Sequence, residues 1–372
     1  MEGKGKFNCS KPGRGDCNPS NPQCSPTLLP VKSGSTYRLR IASVASLSSL
    51  NFIIQGHKMT VVEADGHYVE PVEVDNLDVY SGESYSVLLK ANQDPSRNYW
   101  SGVNVRSRVP MTPTGLSILN YVPNPSTKLP VGAPPSSPPW NDFTYSKDLA
   151  KKYVALKGVE KPPPLRLDRQ LLLLNTQNYI NGAIKWAINN ISFVPPPTPY
   201  LVAMKYNIKG AYDTAPPPES YDATSYNIFL PPPNTNAKAG NGAYVFNLSS
   251  VVDVILQNAN TLFPNHSEVH PWHMHGHDCW ILGYGEGAFD PRKDPQTFNL
   301  VNPPLRNTVP LFPYGWTAVR FVADNPGAWL FHCHLEAHLF MGMGIIFAEG
   351  IDKVGTIPTS TMGCGLTKGS KY

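Results

Sequence analysis

Long apolar runs are missing from this 372-residue chain: no stretch approaches the ~18 apolar residues that a membrane-spanning helix requires. A transmembrane helix is not expected. Charge is also scarce, at 16% Asp, Glu, Lys and Arg against a usual ~25%. The formal net charge of +4 comes without any block of Lys or Arg, so nothing resembles a stripe that follows phosphates, and nucleic acid is not expected as a partner. Apolar positions at the 3.6-residue helical spacing are rare, which argues against a helical bundle. The opening Met1-Glu-Gly-Lys-Gly-Lys-Phe-Asn-Cys9 holds neither the apolar core of a secretory leader nor an amphipathic presequence. As written, the chain is expected to carry no export address.

What is abundant is proline. The 39 prolines are about twice the usual share, and proline is excluded from helix interiors and central strands. All-β domains with proline-rich connections fit that composition. Between about 30 and 123, Tyr37, Leu39 and Ile41 alternate with Arg38 and Arg40, and Tyr85, Val87 and Leu89 alternate likewise. From 165 to 350 the runs Leu171 to Leu174, Val251 to Leu256 and Ile345 to Phe347 are bounded by turn residues. Pro134-Pro135, Pro138-Pro139 and Pro162 to Pro164 lie between the two stretches, in a segment suited to an extended linker. A long surface loop of one larger domain is the alternative. The expected organisation is all-β: a Greek-key β-sandwich domain over 1–123, a linker over 124–164, a second sandwich over 165–350 and a tail over 351–372.

The two halves look like copies. Tyr37 to Ile41 followed by Asn51 to Gly66 has the order of features seen in Val251 to Leu256 followed by His270 to Gly285. Tyr80-Ser-Gly-Glu-Ser and its following strand likewise parallel Tyr314-Gly-Trp-Thr and its strand. Two sandwiches of one lineage produce such a repeat. Six cysteines, with Cys9, Cys17 and Cys24 in a Gly/Pro/Asn-rich stretch, suggest disulfide-held loops. Asn8, Asn190, Asn247 and Asn265 begin Asn-x-Ser sequons, a weak sign of glycosylation.

The copies differ in their histidines. Of ten, eight fall between His266 and His338. Two motifs stand out there: His270-Pro-Trp-His273-Met-His275-Gly-His277-Asp278 and His332-Cys333-His334-Leu-Glu-Ala-His338-Leu-Phe-Met-Gly-Met343. On a strand, successive side chains point to opposite faces, so Cys333 projects one way and His332 and His334 the other. One short peptide then joins two metal sites. A thiolate from Cys333 with His338, Met343 and a second imidazole, for which His270 is the candidate, is the donor set of a blue-copper electron-transfer centre. Copper is preferred over zinc because structural zinc takes four strong ligands, whereas a thioether suits the copper couple. On the other face, His332 and His334 are expected to meet His273 and His275 in an all-imidazole copper site.

Other residues have plainer readings. His57, His67 and His266 are read as satisfied polar groups, and Cys279 as a buried thiol. His277 is read, with Asp278, as supporting the ligands rather than joining them.

These two motifs resemble the carboxy-terminal copper signatures of the multicopper oxidases. Asn302-Pro-Pro-Leu-Arg-Asn-Thr, Phe312-Pro-Tyr-Gly-Trp-Thr-Ala and Leu174-Asn-Thr-Gln-Asn are similar to the plant ascorbate oxidase branch. The resemblance implies cupredoxin domains, a type-1 copper that accepts electrons from ascorbate, and a trinuclear copper cluster that reduces O2 to water. Carried over by position, it assigns His270, Cys333, His338 and Met343 to the type-1 copper, His273 to the type-2 copper, and His275, His332 and His334 to the type-3 pair. Trp186 resembles a residue lining the ascorbate pocket beside His338, with a core tryptophan as the alternative reading. The resemblance also implies an extracellular, apoplastic setting.

The pattern departs from the family in one large respect. The family's cluster takes eight histidines, four from two His-x-His motifs of a first domain, and no other His-x-His pair occurs in this sequence. The expectation is a chain lacking that first domain, holding half of the cluster's ligands, with the domain supplied in trans or the chain self-associating. Matching positions imply that Cys24 and Cys364 pair with first-domain cysteines, leaving Cys9 and Cys17 to pair locally. Ala337 and Phe340 stand where relatives often carry Pro and His, and Cys279 where they carry an aromatic. A laccase-like phenol oxidase, a copper-free cell-wall relative and a catalytically incomplete copper-binding product are the rival readings.

Overall fold

The structure, a computed structural model, describes residues 26–233 and 236–369. It is built almost wholly of β-strands, with a few short helices, and it divides into two compact units between Tyr153 and Val154. No described helix is long and apolar enough to cross a membrane.

The first unit is a sandwich of two sheets. One runs Thr27–Lys32, Gly115–Val122, Tyr99–Arg106, Ser49–Ile54, Asn76–Val79; the other runs Thr36–Ala42, Ser84–Lys90, Met59–Ala64, His67–Val74. Alternation along each strand sends Phe52, Ile54, Met59, Val61, Val87 and Leu89 into the space between them, where they are buried.

The segment read as an extended linker departs from that expectation. A helix, Phe143–Ala150, forms in a gap between prolines, with the Asp142 carboxylate accepting from the Tyr145 backbone N–H at 3.0 Å as its cap. Leu149 and Tyr153 join the first unit's core. A polar tie holds the helix down as well. The Arg106 guanidinium meets Asp78 at 3.0 Å and donates to the Ser146 hydroxyl at 2.7 Å, while that hydroxyl lies 2.6 Å from the second Asp78 oxygen. Both charged side chains are buried. Removing one partner strands the other charge, so Asp78→Ala should destabilise the first unit by about 3–5 kcal/mol. A urea-unfolding midpoint for that unit unchanged from wild type would contradict the assignment.

The second unit repeats the plan on a larger scale. Its eight-stranded sheet runs Lys238–Gly240, Ile191–Phe193, Ala183–Ile188, Arg169–Ile180, Val251–Asn258, Gly315–Val322, Cys279–Glu286, Leu305–Arg306. The facing sheet runs Ala243–Phe246, Gly344–Glu349, Gly327–Cys333, His270–Met274, Thr308–Leu311. Val251–Asn258 is buried along its whole length because Arg169–Ile180 pairs with it in parallel and Gly315–Val322 antiparallel. Burial on both faces goes with apolar residues at successive positions, Val251-Val252 and Val254-Ile255-Leu256, rather than at alternate ones. In both units the first strand of the five-stranded sheet lies parallel to the last, Thr27–Lys32 on Gly115–Val122 and Ala243–Phe246 on Gly344–Glu349.

Candidate metal centre

The two histidine motifs occupy neighbouring antiparallel strands. Trp272 lies opposite Cys333 and His273 opposite His332, so each pair shares a face of the sheet. Inward, Trp272, Met274 and Cys333 join the buried core, and His270 has no exposed surface. The following helix, Glu336–Phe340, carries His338, and the chain then folds back. The Met343 N–H donates to the His338 carbonyl at 2.9 Å and the Cys333 N–H to the Met343 carbonyl at 3.1 Å. Gly342 permits this return: its φ is +107°, and a Cβ there would lie 2.0 Å from Ser192 Oγ.

The result is a buried triangle of donors. His270 Nδ1 and His338 Nδ1 are 3.1 Å apart, and Cys333 Sγ is 3.8 Å from the first and 3.7 Å from the second. A triangle with those sides has its centre about 2.1 Å from every corner, within the roughly 2.0–2.3 Å of metal–imidazole and metal–thiolate bonds. Met343 is fully buried in the same group of core side chains. Without a cation the site is uncomfortable. Burial pushes the Cys333 thiol up and the His270 imidazolium down, so protein alone leaves an un-ionised thiol facing two imidazole nitrogens. A bound cation reverses the thiol's preference and takes up the lone pairs. The donor set fits a soft-ligand metal such as copper.

Glu268 completes the arrangement, and sequence reasoning did not find it. Its carboxylate lies 3.1 Å from His338 Nε2. A carboxylate accepts, so Nε2 carries the proton and Nδ1 presents its lone pair inward. Burial opposes ionisation of Glu268, but the hydrogen bond from His338 favours the carboxylate, and the carboxyl is held at about 2. The available signal was the spacing Glu268-Val269-His270, which places both residues on one side of an extended chain. Glu268→Gln should weaken metal affinity roughly 10- to 100-fold, read by competition against a chelator. An unchanged affinity would show that Glu268 does not orient His338.

Trp186 stands differently from the expectation of a pocket-lining residue. Its ring packs edge-on against His270 at 4.6 Å and at a tilt against His338 at 5.2 Å, with no exposed surface. A side chain enclosed in this way offers no face to a substrate; it walls the two imidazoles off from water.

On the opposite face, His273, His275, His332 and His334 come together. Ring centroids are 5.1 Å apart for His273 and His275, 5.2 Å for His275 and His332, and 5.4 Å for His273 and His334. Backbone carbonyls set the tautomers. Asn307 O lies 3.0 Å from His273 Nδ1 and Cys333 O lies 2.9 Å from His332 Nδ1. Since a carbonyl only accepts, both rings carry their proton on Nδ1 and their lone pair on Nε2, the reverse of His338. His332 Nε2 is 3.1 Å from His275 Nε2. Burial first, then the neighbouring imidazoles, pushes His332 down to about 4, which keeps it a neutral donor. His332 is buried, His273 and His334 are half-buried and His275 is exposed. His273 and His275 line an open depression of about 620 Å³.

His277 supports this face through a different partner from the one expected. Its Nε2 lies 2.6 Å from buried Glu349, whereas Asp278 accepts from Asn307. Gly276 turns the chain between His275 and His277 with φ +73°, and a Cβ there would meet the Trp329 ring at 2.4 Å. His57 is satisfied by Tyr121 and the Gln55 carbonyl, and His266 by Thr261. The Cys279 thiol is buried and donates to the Arg306 carbonyl. Cys364 is exposed and forms no disulfide among the described residues; Cys9, Cys17 and Cys24 lie outside them.

Comparison with known proteins places these observations among relatives. Two family models described as multicopper oxidase match residues 1–124 and 211–353. An L-ascorbate oxidase of Cucumis sativus is 55% identical over 99% of this chain and 63% of its own length. That of Cucurbita pepo var. melopepo is 53% identical over 99% of this chain and 67% of its own length. The chain thus spans about two thirds of these relatives. Laccase-11 of Arabidopsis thaliana is 36% identical over 86% of this chain and 58% of its own. Among solved structures, a laccase from Botrytis aclada has the same fold, with a TM-score of 0.69 at 23% identity, covering 98% of this chain and 60% of that one.

Proposed function

Since the chain belongs to the multicopper oxidase family, we propose that it is the copper-bearing portion of an ascorbate oxidase. In this reading His270, Cys333, His338 and Met343 hold a type-1 copper. His273, His275, His332 and His334 contribute half of the donors of an all-imidazole cluster where dioxygen is reduced to water. The observation that carries the reading is the buried triangle of two Nδ1 atoms and one thiol sulfur. Ascorbate is favoured over a phenol because identity is 55% to an ascorbate oxidase against 36% to a laccase.

Copper, when bound, supplies one-electron chemistry between the reductant and dioxygen. The chain's own residues prepare the sites for it. Glu268 holds the Nε2 proton of His338, and the carbonyls of Asn307 and Cys333 hold the Nδ1 protons of His273 and His332. Trp186 and the surrounding core exclude water from the thiol. Cys333 sits between His332 and His334, so a single peptide bridges the two sites. Ascorbate would approach where the partly exposed Glu268 side chain meets the His338 ring edge. The remaining imidazoles of the cluster would come from polypeptide outside these 372 residues, and the setting would be extracellular, with the sequons at Asn190, Asn247 and Asn265 exposed.

Stopped-flow reduction of the copper-loaded chain tests the substrate. Ascorbate should bleach the blue colour faster than a phenol at equal concentration. Equal or faster bleaching by the phenol would favour the laccase reading.

A further inference from the structure

One of the four imidazoles on the open face is placed differently from its neighbours. His273 and His332 each have a backbone carbonyl against Nδ1, and such bonds orient a ligand ring. The His275 ring has no carbonyl or carboxylate against it among the described residues; its polar ring contact is His332 Nε2. Exposed and without such a bond, it is placed through its own backbone. The His275 N–H donates to the Leu330 carbonyl at 3.0 Å, and the His275 carbonyl accepts from His277 Nδ1 at 3.3 Å. The Asn325 amide donates to the Gly276 carbonyl at 2.9 Å in the same turn.

His277 is held in turn by Glu349. Both side chains are buried, with Nε2 2.6 Å from the carboxylate, and Phe321 and Trp329 stand edge-on to the imidazole at 5.4 and 6.0 Å. A carboxylate and a carbonyl both accept, so the ring is fixed at each of its nitrogens. Glu349 is itself a fixed point. It ends the strand Gly344–Glu349, which is buried throughout and paired on both edges.

We infer that Glu349 is a positioning residue for the imidazole site: through His277 and the Gly276 turn it sets where the His275 ring stands. The inference rests on the proposed reading of His273, His275, His332 and His334 as a copper-binding face. Its consequence is selective. Losing the link releases His275 and leaves His273 and His332, which carbonyls of their own hold. A pair that served only to stabilise the sandwich would show no such selection among the rings.

The test uses the full 372-residue chain, isotope-labelled in its histidine rings, observed by NMR without metal and then titrated with Cu(II). Glu349→Leu alone strands a buried imidazole and threatens the fold, so the decisive variant is His277→Phe combined with Glu349→Leu. An apolar pair of similar volume replaces a buried ion pair at little cost, and a ring stays between Phe321 and Trp329. In the double variant the His275 ring signals should shift or broaden while those of His273 and His332 stay in place. Cu(II) bound beyond the first equivalent should be held roughly tenfold more weakly. Glu349→Gln, whose amide can still pair with Nε2, should keep the wild-type values. An unchanged His275 signal in the folded double variant would overturn the assignment, as would a loss in Glu349→Gln as large as in the double variant, or all three rings moving together. A wild-type chain that takes up no Cu(II) beyond the first equivalent would count against the four-histidine face instead, and the metal-free ring signals then decide on Glu349 by themselves.

Discussion

Cys333→Ser should abolish the intense visible band of the copper-loaded protein altogether. That band is a charge transfer from thiolate sulfur to copper, and a serine hydroxyl is neither soft nor ionised under the same conditions. The geometry makes the loss complete, because Cys333 supplies the sulfur corner of the buried triangle. Affinity should fall too, with two imidazoles left to bind alone. The fold should survive: serine is close to cysteine in size, and far-UV circular dichroism and the thermal midpoint separate a lost ligand from a lost core. A mutant that keeps the blue band at wild-type intensity would remove Cys333 from the metal.

The second large effect concerns turnover. In the proposed reading the type-1 donors all lie in this chain, whereas the imidazole cluster would find four histidines here against the eight that the family resemblance implies. His275 is exposed and His273 and His334 are half-buried on an open depression, so metal held there meets water. Affinity and reactivity depend on ligand number and on the groups that orient the ligands. The 372-residue chain alone, loaded with copper, should therefore be bleached by ascorbate yet fail to consume oxygen continuously. An oxygen electrode with a peroxide assay reads the outcome. Sustained uptake without peroxide would show that this chain completes the cluster unaided.

Much of this was legible beforehand for identifiable reasons. Period-two alternation declared Thr36–Ala42 and Ser84–Lys90, and the largely apolar run Val251 to Leu256, bounded by turn residues, declared a strand. The same alternation split His332 and His334 from Cys333, because a strand offers two faces and nothing else. The features that stayed hidden depend on contacts between distant residues. Glu268 acts on His338, 70 positions away, and Glu349 on His277; neither pairing is written in a local pattern, and the spacing Glu268-Val269-His270 only puts the first carboxylate on the side of a ligand. The helix Phe143–Ala150 was masked by the prolines around it, although Asp142 and the proline-free stretch after it were the signs of a capped helix. Trp186 was misplaced for a similar reason. A tryptophan beside a metal site can wall it or open it, and only packing against His270 and His338 decides between the two.

The central claim is that one copper sits among His270, Cys333 and His338. X-ray absorption at the copper edge, on the full chain loaded with one equivalent, addresses it most directly. The account predicts one short copper–sulfur path together with two imidazole nitrogens, the sulfur path vanishing in Cys333→Ser. A first shell of nitrogen and oxygen alone in the wild-type chain would contradict it.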